Sequence, residues 1–248
     1  MTRALIFARR NIVETMRSPL SYIFGLALPV GIFVIMQAVV NGIGDAAASV
    51  PMFGVDMFTG GVCIFASSFL SLFCAMLISS DRQKSFLARL AVSPTTSVDF
   101  IVGYALAVAP LAVAQTGVTF IVALCFGLKP SVNVLPAILF SLLIAVLFIA
   151  IGVIFGSVFS EKNAPPLCSA VVQIAALLSG MWFDLDAIGG GFDLFCHILP
   201  FSHAYDLIRF SLAGDYARVW APALVVVAYA VVFAVAAWFA FSRSLKRA

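Results

Sequence analysis

The sequence predicts an all-α integral membrane protein of six transmembrane helices, and three observations carry that reading. Of 248 residues, 63% are apolar and 10% charged, whereas a soluble domain carries about 25% charged residues. The charges are clustered, so six windows contain no Asp, Glu, Lys or Arg: Ser18–Gly44, Met57–Ser80, Phe100–Leu128, Pro130–Ser160, Asn163–Phe183 and Val219–Ser242. Each is long enough for the ~20 apolar residues that carry a helix across a ~30 Å hydrocarbon core. None shows the alternating polarity of a membrane β-strand.

Basic residues orient the six windows. With the N-terminus in the cytoplasm, eleven of the 14 Lys and Arg residues fall inside; Lys129, Arg209 and Arg218 fall outside. The positive-inside bias therefore places both termini of this multi-pass membrane protein in the cytoplasm. Topology and anionic lipid account for the basic clusters, so they are not read as nucleic-acid sites. The apolar run from Leu20 to Val40 exceeds the about 7–15 residues of a signal-peptide core, so it reads as an uncleaved first span. The five cysteines are odd in number and form no Cys-x-x-Cys; they read as small apolar filler.

Taken in order, residues 1–18 form a helix lying on the membrane. Leu5, Ala8, Ile12 and Met16 share one face with Ile6 and Val13 on its flank, and Arg3, Arg10, Glu14 and Arg17 share the other. Arg10 and Glu14, four apart, can pair. Arg9 breaks the pattern. Ser18-Pro19 turns the chain into the first span, where Gly25, Pro29 and Gly31 predict a bend.

The second span lies near residues 59–79 and leads to a charged cytoplasmic loop, 80–99. The third holds Pro110 and the polar set Gln115, Thr116 and Thr119. The fourth ends in Gly152-x-x-x-Gly156, a spacing that admits close approach of another helix, from this chain or from a second copy. The fifth, Pro165–Trp182, contains Gln173. Segment 183–218 is apolar but broken by Gly189-Gly190-Gly191 and Pro200, and it carries Asp184, Asp186, Asp193, Asp206 and Asp215. Short helices dipping into the outer leaflet fit it. The sixth span is Val219–Phe241. No repeat or soluble linker interrupts the chain, so residues 1–248 read as a single membrane domain.

Motif searches exclude several chemistries. The sequence holds no Gly-x-x-x-x-Gly-Lys-Ser/Thr loop for ATP and no His-Glu-x-x-His. His197 and His203, six apart on one helix, would face about 240° apart, which suits no shared metal. Asp184-x-Asp186 is the nearest approach to a transferase metal site, but it lies on the predicted outer side. Ion-coupled carriers place ionisable groups within their spans, and these windows have none. Energy for transport must then enter through the cytoplasmic loops. Read as a helix, the segment after Asp81 puts Phe86, Leu87, Leu90 and Ala91 on one face and Arg82 and Arg89 on the other, with Ser93-Pro94 as its stop. Such a helix is either an interfacial lid or a lever docking in a groove of a soluble motor.

These residues resemble those of a known family, the permease subunits of type-2 ATP-binding-cassette exporters. The N-terminal helix looks like that family's interface helix. Asp81, Arg82, Lys84, Leu87, Arg89, Leu90, Pro94 and Gly103 match the pattern of its coupling-helix region. Leu199, Pro200, Asp206, Arg209 and Gly214 match the signature before the last span. The family's outer-leaflet helices account for 183–218. Gln83 stands where Glu is common, Ser85 where Gly is, Tyr104 where Lys is, and Asp184 where Pro is.

The resemblance implies a non-enzymatic chain. Two permeases, identical or homologous, would form a pathway, with ATP and Mg²⁺ held by separate cytoplasmic ATPase subunits. Phe86, Leu87 and Leu90 would form the docking face. Arg82 and Arg89 would contact the ATPase or lipid headgroups, and Asp206 with Arg209 would support the outer helices. Gln115 and Gln173 are candidates for the pathway of an amphipathic drug, antibiotic, lipid or glycolipid; interhelical hydrogen bonding is their alternative. Two other functions stand beside this one: a membrane assembly or immunity factor without a transport cycle, and a membrane-embedded transferase.

Overall fold

The computed structural model describes residues 2–43, 54–83, 96–182 and 185–245, and every regular element among them is helical. The protein is an all-α membrane protein. Helix α1 (Thr2–Arg17) buries Ala4, Ala8, Asn11 and Thr15, a stripe at helical spacing packed mainly on α4 (Ser97–Cys125). Leu5, Ile6 and Val13 are exposed. Of the apolar face read from the sequence, Ala8 is buried and Ile12 and Met16 are half-buried, while Leu5 stays exposed. In a membrane protein apolar side chains face lipid at no cost, and small residues let helices close on each other.

A single residue, Ser18, separates α1 from α2 (Pro19–Ile43). The expected distortion falls just before Pro29, as a π-turn over Ile23–Ala27. Proline lacks an N–H, and its ring crowds the carbonyl four residues back, that of Gly25; a wider turn there relieves both. Gly25 also admits Leu111 of α4, whose Cδ1 would lie 3.1 Å from an added Cβ.

Helix α3 (Val55–Gln83) is the centre of the bundle, buried along nearly its whole length between α4, α5 (Val134–Val158) and α6 (Ala164–Leu178). Its tightest neighbour is α5. A Cβ on Gly152 would lie 2.5 Å from the Ser71 carbonyl oxygen, and one on Gly156 would lie 2.8 Å from that of Ala75. The Gly152-x-x-x-Gly156 spacing therefore serves packing within this chain. Helix α4 starts in a capping box: Thr96 Oγ1 accepts from the Asp99 N–H at 3.3 Å, and the Thr96 N–H donates to Asp99 Oδ2 at 3.0 Å.

After α6 come three short helices, α7 (Leu185–Ile188), α8 (Gly190–Ile198) and α9 (Pro200–Ala213), before the long α10 (Tyr216–Leu245). Five helices of the described residues are long and apolar enough to cross a membrane: α2, α3, α4, α5 and α10. The expected fifth span is the exception. Its helix stops at Leu178, because Gly180 adopts φ +88° and leaves the right-handed region, so α6 has 15 residues.

The two described chain ends lie at one end of the bundle. There Phe7 of α1 meets Phe100 of α4 at 5.4 Å between ring centroids, and Phe100 meets Phe241 of α10 at 6.0 Å. We refer to this as the terminal end. The far end holds α7 to α9.

Candidate functional site at the terminal end of the bundle

Asp81 and Arg82 close the last turn of α3 and, being adjacent on a helix, point about 100° apart. Asp81 turns toward α1 and α4 and is 1% exposed. A buried carboxylate is tolerated only when paired and hydrogen-bonded, and here three donors meet it. Arg10 Nη2 donates to Oδ1 at 2.9 Å, Arg10 Nη1 to Oδ2 at 3.2 Å, and the Tyr104 hydroxyl to Oδ2 at 2.9 Å. The two guanidinium bonds form the bidentate fork suited to a carboxylate. Arg10 Nη2 also donates to Glu14 Oε2 at 3.2 Å, so the surface pair expected on α1 is joined to a buried one.

Partial burial alone would lower the Arg10 pKa, but the hydrogen bond and charge of Asp81 outweigh it and hold the guanidinium above its usual range. A raised cationic pKa stabilises the fold below the unfolded value and loses that effect only above the folded one. Arg10 thus stays charged, and the tie intact on its side, well past neutral pH.

Aromatic packing fixes this cluster. The Phe7 ring stands edge-on to Tyr104 at 4.9 Å and to Phe100, with interplanar angles of 87° and 88°. It fits because position 103 is glycine: a Cβ there would collide with the ring. Sequence reasoning missed Phe7 and the role of Tyr104. The available signal was Tyr104 standing where a Lys is usual: a phenol keeps a donor for Asp81 without adding a second cation.

Arg82 turns the other way. Its Nη1 donates to the carbonyls of Gly156 at 3.0 Å and Phe159 at 3.1 Å, at the C-terminal end of α5. The last carbonyls of a helix lack partners within it, and a cation at that terminus favours its dipole. Beside it a cavity of about 480 Å³ is lined by Ser79, Gln83, Ser160, Glu161, Lys162 and Ser244 among others.

Phe86, Leu87, Arg89, Leu90 and Pro94 lie outside the described residues, as do Asp184 and the side chains of Arg3 and Asp186. Arg17 is exposed on α1. Gln115 is buried in α4 with neither amide atom hydrogen-bonded, while Gln173 is exposed on α6. At the far end Arg209 Nη1 lies 3.9 Å from Asp206 Oδ1.

The histidines depart from expectation. Pro200 holds Leu199 extended, at φ −87° and ψ 153°, and ends α8 there. His197 and His203 thus lie on different helices, with rings 5.6 Å apart rather than facing away. His197 Nδ1 lies 2.9 Å from Asp193 Oδ1, and Nε2 lies 4.0 Å from Asp206 Oδ2. Among the described residues, no group of three or more His, Cys, Asp or Glu is arranged to hold a metal ion.

No curated protein matches the chain. The family model for the ABC-2 type transporter matches residues 2–213, which take in α1 through α9 and the ties just described, and the chain belongs to that family of membrane components of ABC transporters.

Proposed function

We propose that this chain is the permease subunit of an ATP-driven exporter, powered by separate cytoplasmic ABC ATPase subunits and moving an amphipathic substrate out across the plasma membrane. The observation that carries this reading is the Arg10–Asp81–Tyr104 tie. It joins helix α1, the end of α3 and the start of α4, the two helices that residues 84–95 connect in sequence. A push on that segment reaches three helices through one buried carboxylate. The six charge-free windows support the same reading, because they offer no ionisable groups for ion coupling.

Both termini are then cytoplasmic. Phe86, Leu87 and Leu90 present the docking face, and ATP with Mg²⁺ belongs to the ATPase. Two copies of the single membrane domain, or one copy and a homologue, form the pathway between them. Gln115 and Gln173 are its candidate polar groups, and drugs, antibiotics, lipids or glycolipids are the substrate classes. Replacing Leu87 and Leu90 together with Asp is expected to leave insertion intact, abolish co-purification of the ATPase from mild detergent, and lower export into inverted vesicles at least about tenfold. Undiminished export by that variant would remove the docking assignment.

A further inference from the structure

We propose that α5 is a transmission rod between the two ends of the bundle, and that Arg82 and Asn133 are the positioning residues that grip it. The proposal rests on the permease reading above. Arg82 lies in the last described turn of α3, and its guanidinium is committed to the Gly156 and Phe159 carbonyls of α5. Among the described residues no carboxylate pairs with it; backbone carbonyls hold it. An arginine committed to a helix end is poorly placed to be a docking contact and well placed to carry displacement from α3 into α5.

The rod itself is stiff. Along the α3–α5 contact, Gly152 and Gly156 bring backbone to backbone, close enough that a side chain on either would clash at Ser71 or Ala75. Twenty-five helical residues reach about 37 Å, and the other end is also gripped. Asn133, the residue before α5, accepts from the Tyr216 hydroxyl at 2.8 Å and donates to the Leu212 carbonyl at 3.4 Å. Those partners are the start of α10 and the last turn of α9. Gly214, at φ +77°, leaves room for the Asn133 amide, which would lie 2.7 Å from an added Cβ. A displacement entering at Arg82 therefore arrives at the far-end helices through packed backbone and two side-chain clasps.

The test uses spin-label pairs in a Cys125→Ser background, with the full chain in nanodiscs. The near pair replaces Gln83 and Ser160, on either side of the Arg82 clasp; the far pair replaces Asp56 and Ala213. In the chain alone, Arg82→Gln is expected to broaden the near-pair distance distribution at least about twofold, with Arg82→Lys restoring part of the narrow component. An unchanged near pair overturns the proposal without any ATPase present. With the ATPase and trapped nucleotide, the far pair should shift in the parent chain. It should stay still in both Arg82→Gln and Asn133→Ala, while ATPase affinity remains within about twofold of the parent. A tenfold loss of ATPase affinity in Arg82→Gln would instead make Arg82 a docking contact, and a far pair that still shifts would make the rod idle. If the parent chain binds no ATPase at all, the permease reading fails and the near pair alone decides the clasp.

Discussion

Asp81 at the terminal end and Asp206 at the far end are both matched with arginine, but in different settings. Asp81 is 1% exposed and receives a two-pronged guanidinium at 2.9 and 3.2 Å together with a phenol. The Asp206 side chain is 20% exposed, Arg209 approaches it at 3.9 Å and His197 at 4.0 Å. A buried, fully hydrogen-bonded pair is costly to break from one side, because the remaining charge has lost its water. A loose, partly wet pair is worth little, because water replaces either partner. At the terminal end one buried carboxylate thus ties α1, α3 and α4, whereas at the far end α9 is held chiefly by burial of residues such as Phe201, Leu207 and Ile208.

The largest effect that would break this comparison is Asp81→Ala. That substitution removes the acceptor of the buried Tyr104 hydroxyl but leaves Arg10, 39% exposed and still paired with Glu14, and is expected to cost about 1–3 kcal/mol, read as thermal unfolding in detergent. A loss below 1 kcal/mol would show that the carboxylate is no keystone. Next is Gly152→Ala, whose methyl must displace the Ser71 backbone; about 1–3 kcal/mol is expected. The same substitution at Gly31, where nothing lies within 4 Å, serves as the control and should not destabilise.

Tyr104→Phe removes one of three donors to Asp81 and keeps the ring against Phe7, for about 1–2 kcal/mol. The smallest effect sharpens the other half. Arg209→Ala is expected to cost about 0.2–1 kcal/mol, falling further in high salt. If it proved as costly as Asp81→Ala, the two ends would not differ in kind.

Much of the bundle was legible from charge alone. The window Met57–Ser80 became a helix over Val55–Gln83, and Pro130–Ser160 one over Val134–Val158. What charge could not reveal was which face packs. Ala8 was picked out together with Leu5 and Ile6, yet only Ala8 of the three is buried, beside Ala4, Asn11 and Thr15, since in lipid size rather than hydrophobicity decides approach.

The candidate site was half legible. Asp81 and Arg82 stood out by type, but their partners lie 71 and 74 residues away in sequence, at Arg10 and Gly156, and no local pattern announces pairings at that separation. The histidines were misjudged because one continuous helix was assumed across Pro200. The short α6 was missed because a glycine with positive φ, not a polar residue, ends it.

That short helix has a consequence for the lipid around it. Fifteen helical residues rise about 22 Å, some 8 Å less than the ~30 Å hydrocarbon thickness of an ordinary bilayer. A bilayer meets so short an apolar helix, exposed here at Ile174 and Leu177, by shortening or tilting its acyl chains wherever such a helix crosses it. Thinning of that kind lowers the barrier for an amphiphile to pass its headgroup between leaflets. By this route a protein can speed lipid exchange simply through hydrophobic mismatch.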